Sequence, residues 1–200
     1  MSSRDDQSVF LNVPFDLDYS PLFIALIAGL TSLGRKPRCA VEVTEGGDRL
    51  DRIIDLLVSC GASIHDLSWV GLYSDLQVPR FNIPFELGLA CSISRTSDHR
   101  FFIFEAREHR LRASLSDLNG YDAQIHEGTQ EGVLGRILDC FGSPVRSPTL
   151  YELERITEQL THTAASLQEQ YRRKHPFHPF IYRQTVKAAA DLARLAGLIA

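Results

Sequence analysis

The sequence lacks the short motifs of the most common nucleotide-binding and hydrolase folds. It contains no GxxxxGK[ST] motif, no GxGxxG motif and no GxSxG motif. In those folds the glycines let backbone amides approach a phosphate, and the serine sits on a sharp strand-to-helix turn as a nucleophile. Their absence argues against an ordinary P-loop NTPase, a dinucleotide dehydrogenase and an α/β-hydrolase.

Long apolar runs are also missing. The longest, Pro21 to Leu30, is far too short to cross a bilayer. The residues that follow Met1 are polar and include two aspartates, which is unlike a signal peptide. We therefore expect a cytoplasmic protein with no membrane partner. The formal net charge of -4 is mild and gives no strong signal for nucleic-acid binding.

Cysteine pairs with the spacing of redox or metal sites are absent. The nearest approach to a ligand pair, His175 and His178, fits a turn better. We therefore expect no metal site, and free, buried thiols in a reducing compartment. The four cysteines are Cys39, Cys60, Cys91 and Cys140.

Strand-like and helix-like segments alternate along the first two-thirds of the chain, which predicts an α/β domain at residues 8–141. Ser20 and Asp48 fit helix N-caps, and Gly34 and Gly61 fit helix ends. The alternation favours a five-stranded parallel sheet of flavodoxin-like (TIR-like) topology, order 2-1-3-4-5, with helices on both faces. Predicted strands are 8–13, 38–43, 62–67, 100–104 and 122–126; predicted helices are 20–33, 49–60, one opening at Pro84, and 130–141.

A helical tail is predicted at residues 150–198, after a linker at 142–148. An apolar stripe with near-heptad spacing marks its first helix: Leu153, Ile156, Leu160 and Leu167. This stripe needs cover, so we expect a hairpin that packs on the domain or on a second copy. If nothing within the chain covers the stripe, the expectation is a homo-oligomer.

Loops at the carboxyl ends of the strands should converge, because open parallel sheets bind ligands at that edge. We expect a pocket there for a nucleotide-type small molecule. Its predicted residues are Pro14, Phe15, Asp16 and Tyr19 from the first loop, Glu45 from the second, Asp66 and Ser68 from the third, and Arg80, Asn82 and Glu86 from the fourth.

Glu86 is the first candidate catalytic residue. It falls in the first turn of the predicted third helix, where the helix dipole would favour its ionised form. A charged carboxylate beside an apolar wall suits the stabilisation of an oxocarbenium-like sugar cation, and suits a general acid less well. The alternative is a glutamate that only complements the dipole.

Asp66 is the second candidate, at the end of a buried strand. It could bind a ribose hydroxyl or protonate a leaving base; the alternative is an aspartate that caps a local turn with Ser68. His65 should point to the opposite face and be structural. Tyr19 and Phe15 could stack on a base or nicotinamide ring, or pack in the core.

Three parts of the chain resemble a known family: residues 9–16, residues 49–54 with 63–68, and residues 79–90. They resemble bacterial TIR-like proteins close to nucleoside deoxyribosyltransferases, over about residues 8–141. The resemblance implies that Glu86, in Phe85-Glu86-Leu87-Gly88, is a nucleophile or cation stabiliser, and that Asp66 is a pocket residue. It also implies a link to antiphage defence.

The resulting expectation is an enzyme that hydrolyses or transfers at an N-glycosidic bond. NAD or a related nucleotide or nucleoside would be its substrate, not its cofactor. The alternatives are a catalytically silent nucleotide-sensing and assembly module, and an adaptor that binds another TIR-like surface. Asn82-Ile83-Pro84 replaces the Gly-Thr-like pair of deoxyribosyltransferases, and Pro14-Phe15-Asp16 replaces their glycine-containing loop, so the substrate stays open.

Overall fold

A five-stranded, all-parallel sheet forms the centre of the computed structural model, which describes residues 4–42, 48–69, 72–73, 78–118, 120–143, 147–173 and 175–200. The strands are β1 (Asp5–Asn12), β2 (Lys36–Cys39), β3 (Cys60–Asp66), β6 (Arg100–Glu105) and β7 (Gln124–Ile125). They lie in the order β2-β1-β3-β6-β7. Two short strands, β4 (Leu72–Tyr73) and β5 (Val78–Pro79), pair antiparallel in a separate ribbon.

Seven helices accompany the sheet in the described residues. The predicted α/β class and the 2-1-3-4-5 order of the sheet strands are confirmed, and the architecture is flavodoxin-like. The helices are α1 (Ser20–Ser32), α2 (Arg49–Ser59), α3 (Asn82–Ser94), α4 (Arg110–Ser114), α5 (Gln130–Phe141), α6 (Leu150–Gln170) and α7 (Pro179–Leu195).

Strand β1 is buried on both faces from Ser8 to Asn12. Val9 and Leu11 belong to the core that β1 shares with α1, α5, α6 and α7. Phe10, which points the other way, packs in the core of α2 and α3. This explains why the strand reads as a continuous apolar run and not as an alternating one.

The start of α1 differs from the prediction. A short 3-10 turn, Leu17–Tyr19, precedes the helix, so Tyr19 is the N-cap and Ser20 is already helical. The Ser20 hydroxyl donates to the carbonyl oxygen of Leu17 at 2.5 Å. Gly34 follows the helix at a φ of 71°, a left-handed conformation that glycine adopts without strain.

The boundary between α2 and β3 also needs correction at one residue. Asp48 caps α2 as predicted, accepting from the amide of Leu50 at 2.8 Å. Gly61, however, is not a helix end, since β3 already begins at Cys60. A Cβ at Gly61 would lie 2.7 Å from Cα of Asp6, so glycine permits the close approach of β1 and β3.

Strand β2 is shorter than predicted and ends at Cys39. A 3-10 turn, Ala40–Glu42, follows it at once. The last predicted residue of that strand, Val43, lies outside the described residues.

The tail forms the predicted helical hairpin and packs on the domain. Leu153 and Leu160 of α6 and Tyr182 of α7 are fully buried in the same core as α1. The Tyr182 hydroxyl donates to the carbonyl oxygen of Pro37 in β2 at 2.8 Å. Because this chain itself covers the apolar stripe, the stripe gives no reason to expect a homo-oligomer.

The four cysteines are free thiols. Three are buried and Cys140 is half-buried, and burial raises the pKa of Cys39 and Cys140 to about 12. These thiols are therefore protonated at neutral pH and are poor nucleophiles. Across the described ranges, none of the helices has the length and apolar character needed to cross a membrane.

The packing of α6 predicts that Leu160→Ala destabilises the whole domain. The leucine has no exposed surface and belongs to the core around α1, so truncation should lower the free energy of unfolding by about 2–5 kcal/mol. Gln159→Ala, on the exposed side of the same helix, should change it by less than about 0.5 kcal/mol. Urea unfolding followed by circular dichroism measures both. Equal stability of the two variants would mean that the tail is not part of the core.

Candidate functional site

A cleft of about 240 Å³ lies at the carboxyl end of β1. The sheet order reverses beside this strand, between β1 and β3, which is where open parallel sheets bind ligands. The cleft is lined by Phe10, Leu11, Asn12, Val13, Pro14, Phe15, Ala40, Arg49, Arg80, Asn82, Ile83 and Glu86. Five of the ten predicted pocket residues line it: Pro14, Phe15, Arg80, Asn82 and Glu86. Asp16, Tyr19, Asp66 and Ser68 do not, and Glu45 lies outside the described residues.

Glu86 lies in the second turn of α3, not the first. The helix begins at Asn82, and its early hydrogen bond runs from the amide of Phe85 to the carbonyl of Phe81 at 2.9 Å. Pro84 precedes that first donor, so its missing N–H costs the helix nothing. The predicted stabilisation of a charged Glu86 by the helix dipole is wrong, because that effect falls off within the first turn.

The Glu86 side chain is largely buried, and its carboxyl has no partner among the described residues. The residue is 6% exposed, and no hydrogen bond or ion pair joins its carboxyl to another described residue. Burial raises the pKa of Glu86 to about 7, and the nearby positive charge of Arg49 opposes this rise only in part. At neutral pH the group therefore exists in both protonation states, whereas the sequence predicted an ionised one.

Asp16 and Arg80, both predicted as ligand-binding, are paired with each other. Arg80 Nη1 donates to Asp16 Oδ2, and Nη2 donates to Oδ1 at 2.8 Å. This two-pronged contact joins the loop after β1 to the segment that leads into α3. Arg80 lines the cleft, whereas Asp16 does not line it and contacts Arg80 from outside.

Phe15 connects the cleft to the tail. Its ring packs against Phe177, in the turn between α6 and α7, with ring centroids 5.4 Å apart. Phe177 is itself buried against Phe23 of α1 at 4.8 Å. The core-packing interpretation of Phe15 is thus correct, although the residue also lines the cleft. Glu45 lies outside the described residues.

Asn12 and Arg49 line the cleft and were missed by the sequence reasoning. Asn12 is 4% exposed, and its side-chain amide donates to the carbonyl oxygen of Ile83 at 3.1 Å. An asparagine that directly follows the apolar run Val9–Leu11 is the signal that could have found it, because a buried amide needs specific partners.

Asp66 and Tyr19 are completely buried and do not line this cleft. The Tyr19 hydroxyl donates to Asp66 Oδ2 at 2.5 Å, and the Ser68 amide and hydroxyl donate to Oδ1 at 2.9 and 2.5 Å. His126 Nε2 lies 3.2 Å from Oδ2. We expected Tyr19, Asp66 and Ser68 to line one cleft together with Glu86, but these three residues do not line the cleft that contains Glu86. The contacts instead fit the alternative, in which Asp66 caps a local turn with Ser68.

The hydrogen bonds around Asp66 hold it ionised. Burial alone would raise its pKa, but the donors from His126, Ser68 and Tyr19 outweigh burial and bring the pKa of Asp66 below its ordinary value. A carboxylate in this state neither donates a proton nor meets solvent. Its role is to join β3 to α1 and to the loop after β7.

Ser68, His126 and Asp66 are not arranged as a catalytic triad. His126 Nδ1 accepts from the amide of Gly128 at 3.1 Å, so the ring proton is on Nε2, the atom that faces Ser68 and Asp66. The histidine therefore cannot take the Ser68 proton, which Asp66 already accepts. The cluster is structural.

Comparisons with protein-family models, curated proteins and solved structures give no match. The resemblance to TIR-like proteins and nucleoside deoxyribosyltransferases therefore stays a prediction from the sequence motifs, and the chemistry of the cleft must be argued from its own residues.

The contacts of Asp66 predict that Asp66→Asn destabilises the fold by about 2–4 kcal/mol at pH 7, because the new amide group would meet donors from Tyr19 and His126. A lowered folded-state pKa gives stability that is present above the unfolded pKa of about 3.9 and is lost as the pH falls through the folded value. The gap between wild type and variant should therefore shrink below pH ~4. Urea unfolding at several pH values measures it, with the exposed Asp55→Asn as control. Equal stability at pH 7 would contradict the structural role.

Proposed function

We propose that the protein cleaves or transfers at the N-glycosidic bond of a nucleoside or nucleotide, with Glu86 as the reacting carboxylate. One observation carries the proposal: a buried carboxyl without a hydrogen-bond partner among the described residues lines a cleft at the point where the sheet order reverses. A largely buried carboxyl that no protein group stabilises opposes folding when it is ionised, so such a group is typical of a functional site.

The chemistry follows from the charge of Glu86. When the bond between the sugar and the base breaks, the electron pair leaves with the base and the sugar becomes an oxocarbenium-like cation. The ionised Glu86 stabilises that cation or bonds to it. Water then attacks the sugar carbon, which breaks any bond to Glu86, and the proton that water loses neutralises the departed base or passes to solvent. In transfer, the hydroxyl or nitrogen of an acceptor attacks and loses its proton in the same way. The low polarity that raises the pKa of Glu86 also strengthens its attraction for the cation.

The size of the cleft bears on the substrate. Its volume of about 240 Å³ is below the ~300–1,000 Å³ of sites for drug-sized ligands, which favours one nucleoside unit as the part bound there. In NAD or another dinucleotide, the remainder would extend past Arg49, which is exposed at the edge of the cleft. A positive charge there suits a phosphate.

A catalytically silent nucleotide-sensing module is the second candidate. The observation that favours it is the structural role of Asp66, because the resemblance implies that Asp66 is a pocket residue, whereas Asp66 has no exposed surface. A cytoplasmic location and a link to antiphage defence belong to either candidate and rest on the sequence alone.

The proposal predicts that Glu86→Gln lowers base release by at least about 100-fold, because glutamine keeps the volume and loses the charge. Purified protein is incubated with NAD and with nucleosides, at low and high protein concentration, and free base is measured by chromatography. The exposed Glu158→Gln is the matched control and should keep wild-type turnover.

The pH dependence tests the same role independently. A reacting carboxylate must be ionised, so wild-type turnover should rise with pH through about 7 and then level. A rate that falls through this range would assign Glu86 as an acid. Wild-type turnover in Glu86→Gln would remove it from the mechanism, and the absence of base release under all conditions would favour the sensing module.

A further inference from the structure

A chain of buried polar side chains leads from the cleft into the sheet. Asn12 Nδ2 lies 2.8 Å from His65 Nδ1, and His65 Nε2 lies 2.8 Å from the Ser63 hydroxyl oxygen. That oxygen lies 2.8 Å from His99 Nε2, and His99 Nδ1 lies 3.0 Å from the carbonyl oxygen of Cys60. All of these side chains are at most 4% exposed.

The direction of every bond in this chain follows from its inner end. The Cys60 carbonyl only accepts, so the proton of a neutral His99 is on Nδ1, and Nε2 accepts from Ser63. The Ser63 oxygen then accepts from Nε2–H of His65. His65 Nδ1, left without a proton, accepts from Asn12.

Both histidines favour the neutral form at neutral pH. Burial lowers the pKa of His65 to about 3, and burial also lowers the pKa of His99. A protonated His65 would present a second donor to the amide of Asn12, and the chain would break.

The outer end fixes the Asn12 amide in one orientation. Its second N–H donates to the carbonyl oxygen of Ile83, which only accepts. Both amide protons are therefore used inside the protein, and a flipped amide would set its oxygen against that carbonyl. No described residue donates to Asn12 Oδ1, the polar atom that the residue still has available in the cleft it lines.

We propose that Asn12 is the specificity-determining residue of the cleft: its side-chain oxygen, held by the chain through His65, Ser63 and His99, accepts a hydrogen bond from a hydroxyl or amino group of the ligand. The inference rests on the proposed function only for the choice of nucleosides as ligands. It explains why three buried polar side chains support one asparagine. They prevent the amide from flipping, so Asn12 cannot present its N–H groups to a ligand that carries an acceptor at that position.

Calorimetric titration with adenosine and three analogues tests the proposal. 2′-Deoxyadenosine and 3′-deoxyadenosine each lack one sugar hydroxyl, and purine riboside lacks the amino group, so the arms distinguish a sugar donor from a base donor. One analogue should bind wild type about 10- to 100-fold more weakly than adenosine, since a buried acceptor is left unpaired. This difference in affinity between the analogue and adenosine should fall below about threefold in Asn12→Leu and should persist in Glu86→Gln.

Nitrogen-15 NMR of the wild-type histidines is the second measurement and requires no variant to fold. It should show the proton on Nε2 of His65 and on Nδ1 of His99, with both rings neutral at pH 7. The opposite tautomer at either ring overturns the proposal, as does a difference in affinity that is unchanged in a folded Asn12→Leu, or equal binding of all four ligands by wild type.

Failure of this proposal is distinguishable from failure of the proposed function. Selective binding that depends on Asn12, without base release, upholds the inference and contradicts the enzyme. Base release with a selectivity that Asn12→Leu leaves intact contradicts the inference alone. If wild type binds none of the four nucleosides, the inference is overturned together with the nucleoside ligand class.

Discussion

The burial of the second half of β1 on both faces and along both edges is the constraint on which the rest of the structure depends. The strand pairs with β2 and β3, and its alternating side chains enter two separate cores. Such a strand cannot move without disturbing both layers of helices. Its carboxyl end therefore provides a rigid floor for the cleft, and the polar residue there, Asn12, must find its partners inside the protein.

Two carboxyl groups near the same edge of the sheet have opposite environments. Asp66 receives hydrogen bonds from Tyr19 and Ser68 and faces His126, and its pKa is lowered in spite of complete burial. Glu86 is buried with no partner in the described residues, and its pKa is raised. When the surroundings of two carboxyl groups shift their pKa values in opposite directions, the two groups are suited to different roles. Asp66 stabilises the fold, whereas Glu86 opposes it when ionised and is available for chemistry.

The sequence predicted well what depends on local pattern. Strand–helix alternation led to the sheet order, and α5 begins and ends at Gln130 and Phe141 as predicted. The sequence predicted poorly what depends on distant contacts. The residues next to Asp66 in the sequence allow it to be a pocket residue or a turn cap. His126, whose ring contacts Asp66 and favours the structural role, lies 60 positions further along the chain.

The environment of Glu86 shows the same limit. The residue was found from its motif, but its protonation was predicted from an expected helix start at Pro84, which the structure moves to Asn82. What sets its pKa is burial, and burial is produced by residues from β1, α2 and the start of α3 together. No local pattern contains that information, and the same is true of the amide orientation of Asn12.

The most direct test of this account is the titration of Glu86 itself. Carbon-13 NMR of the side-chain carboxyl carbons, with Glu86→Gln to assign the signal, should give Glu86 a midpoint near pH 7. A midpoint near the ordinary value of 4.5 would show that the carboxyl is solvated or paired, and the account of the cleft as a site built around a desolvated carboxyl would then be wrong.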